Sequence, residues 1–158
     1  MTKLVTQVTV PNLTLFRKLS KWRASPPPER HLFLEAWLLL AVAGSALRFL
    51  PLHRVQVLLQ RICPSSGPPL AEGGPERLAR LVDAAARRHF WTARCLERSL
   101  VLQALLTRGD LRPDLRIGVH RDGESLRAHA WIEVAGRPVG EAQGIAGRFL
   151  PFPGVVRE

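Results

Sequence analysis

Apolar positions follow a helical period through most of the chain and change to strict alternation near its end. Leu32, Phe33, Ala36, Trp37, Leu40, Ala41, Gly44 and Leu47 fall on one stripe, and Leu34, Leu38 and Leu39 fill the opposite side. A helix over about Glu29–Phe49 is therefore expected, buried on most sides. Ser25-Pro26-Pro27-Pro28 precedes it, since proline is tolerated at a first helical position, and Leu50-Pro51 ends it. A second helix is expected over Leu52–Ile62, with Val55, Leu58, Leu59 and Ile62 on one stripe. Cys63-Pro64-Ser65-Ser66-Gly67-Pro68-Pro69 then reads as a loop. Gly73-Gly74-Pro75-Glu76 opens a third helix with Leu78, Leu81, Val82 and Ala85 inward. Arg87, Arg88 and His89 stand at its C-terminal end, where cations are favoured. Thr92 caps a fourth helix that runs to Arg108 and stops at Gly109.

Beyond Pro113 the period becomes two. Leu115–Arg121 reads as a strand with Leu115, Ile117 and Val119 inward, Asp122-Gly123-Glu124 as a hairpin turn, and Leu126–Val134 as the returning strand. Val134-Ala135-Gly136 reverses the chain into a third strand, Arg137–Glu141. The expected fold class is α+β. A helical N-terminal half, about 29–109, packs on a small antiparallel sheet, about 115–142, and a loop-like tail of 143–158 is pinned by Phe149, Leu150 and Phe152. Residues 1–28 are expected to be an arm or a short helix around Leu13–Trp22, and 29–158 a single domain.

Composition narrows the class. A chain of 158 residues, 46% hydrophobic, is globular and long enough for one domain. Its formal net charge of +10 suits an acidic partner, whether peptide, nucleic acid or lipid surface, although arginine-rich solvated faces give the same number. No nucleic-acid motif is recognisable, so a nucleic-acid partner is not expected. Cys63 and Cys95 are too few for a disulfide framework, and with no C-x-x-C and scattered histidines a metal site is not expected. Leu32–Leu50 carries Glu35 and Arg48, so no stable membrane span is expected. The start Met1-Thr2-Lys3-Leu4-Val5-Thr6 lacks the layout of a signal peptide, and a cytoplasmic location is expected.

The chemistry gathers between Phe90 and Glu141. Cys95 falls in the first turn of the fourth helix, where unpaired backbone N–H groups and the helix dipole stabilise negative charge, on a thiolate or an oxyanion. His129, Trp131 and Glu133 share one face of their strand. Glu133 is about 13 Å from His129 along it, too far for a hydrogen bond. A three-residue turn with Gly136 left-handed would pair Glu133 with Arg137 and set His129 opposite Glu141. A two-residue turn would set Ala130 there instead. Cys95 as nucleophile, His129 as general base and Glu141 as orienting acid make a thiol-dependent site. Singly, each has a bland reading: a buried thiol, a strand histidine, a solvated carboxylate. Cys63 is expected to be inert. His89 is expected to cap its helix, with a role as base held as an alternative.

Trp91-Thr92-Ala93-Arg94-Cys95-Leu96, then His129-Ala130-Trp131-Ile132-Glu133-Val134-Ala135-Gly136 and Glu141, resemble the leader peptidases of lasso peptide biosynthesis. These are transglutaminase-like, papain-like cysteine proteases, and the resemblance covers about residues 29–142. It implies cleavage of a ribosomally made precursor (RiPP maturation for antibiotic biosynthesis), with no cofactor. The partners it implies are the precursor's leader peptide and the macrolactam-forming lasso cyclase. It carries the triad over as Cys95, His129 and an acid, with aspartate usual where Glu141 stands. Residues 1–28 cannot hold the family's leader-recognition domain, which points to the split form, B2, working with a separate leader-binding B1 protein. Two other readings remain open: a transglutaminase-like acyl transferase, and a non-catalytic basic adaptor for nucleic acid or membrane.

Overall fold

The computed structural model describes residues 27–64, 73–122, 125–141 and 144–151. The chain divides into two units, Met1–His31 and Leu32–Glu158. Of the first, only the opening of a helix is among the described residues, and the short helix expected around Leu13–Trp22 lies outside them.

Four helices take up the stripes: α1 (Pro27–Ala46), α2 (Leu52–Ile62), α3 (Gly74–Ala86) and α4 (Cys95–Arg108). α4 is the central one and packs on α2, α3 and the sheet. Its buried residues include Leu100, Val101, Leu105 and Leu106, which lie on more than one face. Each such side chain contributes roughly 1.5–3 kcal/mol by leaving water. α1 adds Ala36, Leu39, Leu40 and Ala43 to the same core, α2 adds Val55 and Leu59, and α3 adds Leu78, Val82 and Ala85.

One expectation about helix faces holds and one fails. α1 is buried or half-buried on most sides, and its exposed positions form one stripe that includes Leu34 and Leu38, each more than half exposed. They lie at i and i+4 on the side turned away from the core, and only Leu39 of that leucine group is enclosed. In α2 the stripe does not reach Ile62, which is 48% exposed; the neighbouring Cys63 is buried instead. Cys63 follows Val55 and Leu59 at four-residue steps, so the buried stripe runs on through the sulfur rather than through Ile62.

The sheet has the order β3-β2-β1-β4, antiparallel throughout, with β1 (Pro113–Asp122), β2 (Ser125–Val134), β3 (Arg137–Val139) and β4 (Leu150–Pro151). Gly123 and Glu124 of the expected hairpin turn lie outside the described residues, but Asp122 pairs with Ser125 across it. Alternation sorts β2 into two faces. Ala130 and Ile132 join the helical core, while His129, Trp131 and Glu133 face the other way. The tail is not a plain loop. A helical turn, α5 (Ile145–Arg148), leads into β4, which pairs with β1 at Gly118 and Val119. The free edge of β1 accepts Leu150 and Pro151, and proline is tolerated at such an outer position. Phe149 carries the pinning, packing against His120, His129 and Trp131. Leu150 is 77% exposed and does not, and Phe152 lies outside the described residues.

Candidate active site

Cys95 is the first residue of α4, with Arg94 rather than Thr92 at the cap position. The Arg94 backbone N–H donates to the Glu97 side chain at 2.9 Å, which begins the helix two residues later than a Thr92 cap would. The first helical bond is Arg98 N–H to Arg94 O, at 3.2 Å. The N–H groups of Cys95 and Leu96 precede the intrahelical ladder, at the positive end of the helix dipole.

One turn on, the Ser99 hydroxyl donates to the carbonyl of Ala130 at 2.9 Å, a buried bond. Ala130 lies two residues before Ile132, and Ile132–Val139 is the last pair between β2 and β3. The start of α4 thus meets β2 where the edge strand has run out. This places the helix carrying Cys95 beside the residue that follows His129 in sequence.

The turn between β2 and β3 is the two-residue kind. Val134 pairs with Arg137, and Ala135 and Gly136 both have positive φ, 51° and 74°. The three-residue turn that would set His129 opposite Glu141 is not formed, and continued pairing would bring Glu141 against Ala130. The ladder does not continue. Gly140 has φ 72°, β3 stops at Val139, and the chain swings off the sheet edge. A Cβ on Gly140 would run into the methyl of Ala79 on α3. After this kink Glu141 reaches His129: Nε2 and Oε1 are 3.0 Å apart. An ionised carboxylate only accepts, so the ring donates from Nε2, leaving Nδ1 to act on a thiol.

His129 is held from two further sides. Its ring stacks on Trp131, centroids 6.2 Å apart, and Phe149 covers it at 5.3 Å. Trp131 is fixed in turn, its indole N–H donating to Glu133 at 2.9 Å, and Arg116 binds the other oxygen of Glu133 at 3.0 Å. Glu133 is thus occupied with Trp131 and Arg116 and is not a partner of His129.

A cavity of about 110 Å³ lies between α3, α4 and the β2–β3 edge, lined by Cys95, Ser99, Ala130, Gly140 and Glu141 among others. The structure thus brings His129 and Glu141 into direct contact and sets Cys95 and Glu141 around one cavity. No hydrogen bond joins Cys95 to His129 among the described residues, and His129 is not among the residues that line the Cys95 cavity.

Cys63 is elsewhere, buried at the end of α2 with its sulfur 4.0 Å from Glu35, which is also bound by Arg108. Burial pushes its thiol up from the ordinary range, the Glu35 carboxylate adds to this, and Arg108 partly offsets both. It stays a protonated core residue. His89 does not cap α3; its ring packs among Trp37, Phe90 and Trp91, and Arg88 instead donates to the Ala84 carbonyl.

The family model of the transglutaminase-like superfamily matches residues 37–152, from within α1 to just past β4. The chain belongs to the transglutaminase-like superfamily. No curated protein and no solved structure matches it. The superfamily includes cysteine peptidases and acyl transferases, and the match spans every element that positions the site of this transglutaminase-like chain. Ser99, Gly140 and the Glu133–Arg116 pair were not singled out for these roles in the sequence. A glycine directly before the acid was the one available signal, because an abrupt turn there frees the carboxylate from the ladder.

No described helix is long and apolar enough to cross a membrane.

Proposed function

We propose that the chain is a thiol peptidase that removes the leader from a ribosomally made lasso peptide precursor. The His129–Glu141 contact carries this reading, because it is the base–orienter pair that a thiol nucleophile requires. His129 takes the Cys95 proton, and the sulfur attacks the scissile carbonyl carbon. The oxyanion is held by N–H groups of the first turn of α4. The intermediate collapses to a thioester as His129 returns the proton to the departing amine. Water, deprotonated by His129, then attacks the thioester, freeing the leader's carboxylate and restoring the thiol. Glu141 holds the ring and balances the imidazolium throughout. The motif resemblance supports the finer assignment to leader removal, with a separate B1 protein presenting the leader and a cyclase consuming the product.

The test is cleavage of a precursor by wild type and Cys95→Ala, with the leader-binding protein added and withheld. Continued cleavage by Cys95→Ala removes the thiol mechanism. Since the superfamily also includes transferases, product mass decides whether water or an amine takes the acyl group. A product heavier by the amine makes the protein an acyl transferase.

A further inference from the structure

A second cavity, of about 400 Å³, is formed by the segment that leads from α3 into Cys95. Arg98 lines both this cavity and the one that holds Cys95, so the two adjoin. Its wall is aromatic and cationic, with Phe90, Trp91, His89, Arg87 and Arg98, and no carboxylate lines it among the described residues.

The wall is built rather than loosely looped. Trp91 packs against α1 at Gly44, where an added Cβ would come within 2.9 Å of the indole, so glycine lets the two approach this closely. His89 sits between Trp37 and Trp91, with centroids at 4.7 and 4.2 Å. The Trp37 indole N–H reaches the Arg88 carbonyl at 3.4 Å. Of the rings in this wall, Phe90 is the one turned outward, 70% exposed.

Two side chains of this wall hold polar atoms without partners. Both ring nitrogens of His89 and Nε of Arg98 are shielded from solvent and have no hydrogen-bond partner in the protein. Asp83 takes the other arm of Arg98 at 3.0 Å, and Arg87 stands exposed at the rim. These atoms lie behind the cavity surface, and the charged side chains that line it are Arg87 and Arg98.

We propose that this cavity is a substrate subsite that takes the acidic side chain, Asp or Glu, of a peptide lying across Cys95. The carboxylate pairs with the guanidiniums of Arg87 and Arg98 that line the cavity, and Phe90 and Trp91 cover the aliphatic stem. The inference rests on the peptidase reading only for the peptide being substrate; the binding chemistry stands on the cavity itself.

The experiment uses the Cys95→Ala full-length chain and three blocked pentapeptides, Ac-Ala-Ala-Xaa-Ala-Ala-amide, with Xaa Glu, Gln or Lys. The Trp91 indole N–H signal is followed by NMR after assignment with Trp91→Phe. The Glu peptide is expected to move that signal and bind about tenfold more tightly than the Gln peptide, with no Lys binding, a difference suited to one charge-assisted contact. Arg87→Glu is expected to abolish the preference, while Arg112→Glu, which changes net charge equally at another exposed position, leaves it intact. Equal affinity for the three peptides, or equal loss in both variants, overturns the subsite. Precursor cleavage by the wild-type chain is scored separately. Glu-selective binding without cleavage removes the peptidase and keeps the subsite, and cleavage without Glu selectivity does the reverse.

Discussion

His129 and Glu141 meet at 3.0 Å although the ladder joining their strands ends at Ile132 and Val139, short of both. The contact is made by leaving the sheet. Glu141→Gln keeps the size of the side chain and removes its charge, so the ring loses the partner that balances an imidazolium. Turnover is expected to fall about 10²–10⁴-fold, the range of a general acid–base contribution. Thermal midpoint should stay within a few degrees, and an unchanged rate would unseat Glu141 as the orienting acid.

Gly140 makes the exit from the sheet. Alanine there would have to adopt a φ of 72° and would overlap Ala79. Gly140→Ala is expected to cost roughly 1–3 kcal/mol in urea unfolding. It should also lower turnover by at least as much as Glu141→Gln, because the carboxylate is displaced rather than neutralised. A variant with full activity would mean that the kink is not what delivers Glu141.

The buried Ser99–Ala130 bond fixes α4 against β2 beside the site. Ser99→Ala strands a carbonyl and is expected to cost about 1–3 kcal/mol of stability. It should also reduce turnover, since α4 loses its register on the strand. Ser99→Thr, which retains the hydroxyl, should recover part of both. Loss of stability with undiminished turnover would confine Ser99 to structure.

The two thiols should separate by reactivity. Iodoacetamide is expected to modify Cys95 in the native chain and Cys63 only after unfolding, as peptide mapping will read out. Cys63 is buried with its thiol pushed up, whereas Cys95 faces a cavity. Native-state labelling of Cys63 ahead of Cys95 would contradict this.

The raised Cys63 thiol also sets a pH dependence of stability. Below the ordinary thiol range both folded and unfolded chains hold its proton, and its contribution is fully present. As pH rises past about 8.5 the unfolded chain releases the proton first, so stability falls until the folded thiol also ionises. The chain has no tyrosine, which leaves this window largely to the thiols. Between pH 8 and 10 wild type should lose stability more steeply than Cys63→Ser, whose hydroxyl does not titrate there. Parallel curves would show that the buried thiol is not the cause.

Periodicity alone determined the helices and the alternation that makes β1 and β2, because local backbone geometry dictates where apolar side chains recur. It also determined that a thiol opens α4 and that an imidazole and a carboxylate follow on and after β2. Tertiary structure decided which of these groups meet. A two-residue turn in place of a three-residue one shifted the register of β3, and the left-handed Gly140 then restored the contact that the register had removed. Neither a strand's exit angle nor the packing of Ala79 behind it is written in a period of two. Likewise, whether Leu34 or Leu39 of α1 faced the core depended on what stood beside the helix, since both have the same hydropathy. Long-range register and the choice of buried face are properties of the assembled core, and they are what placed Glu141 on His129.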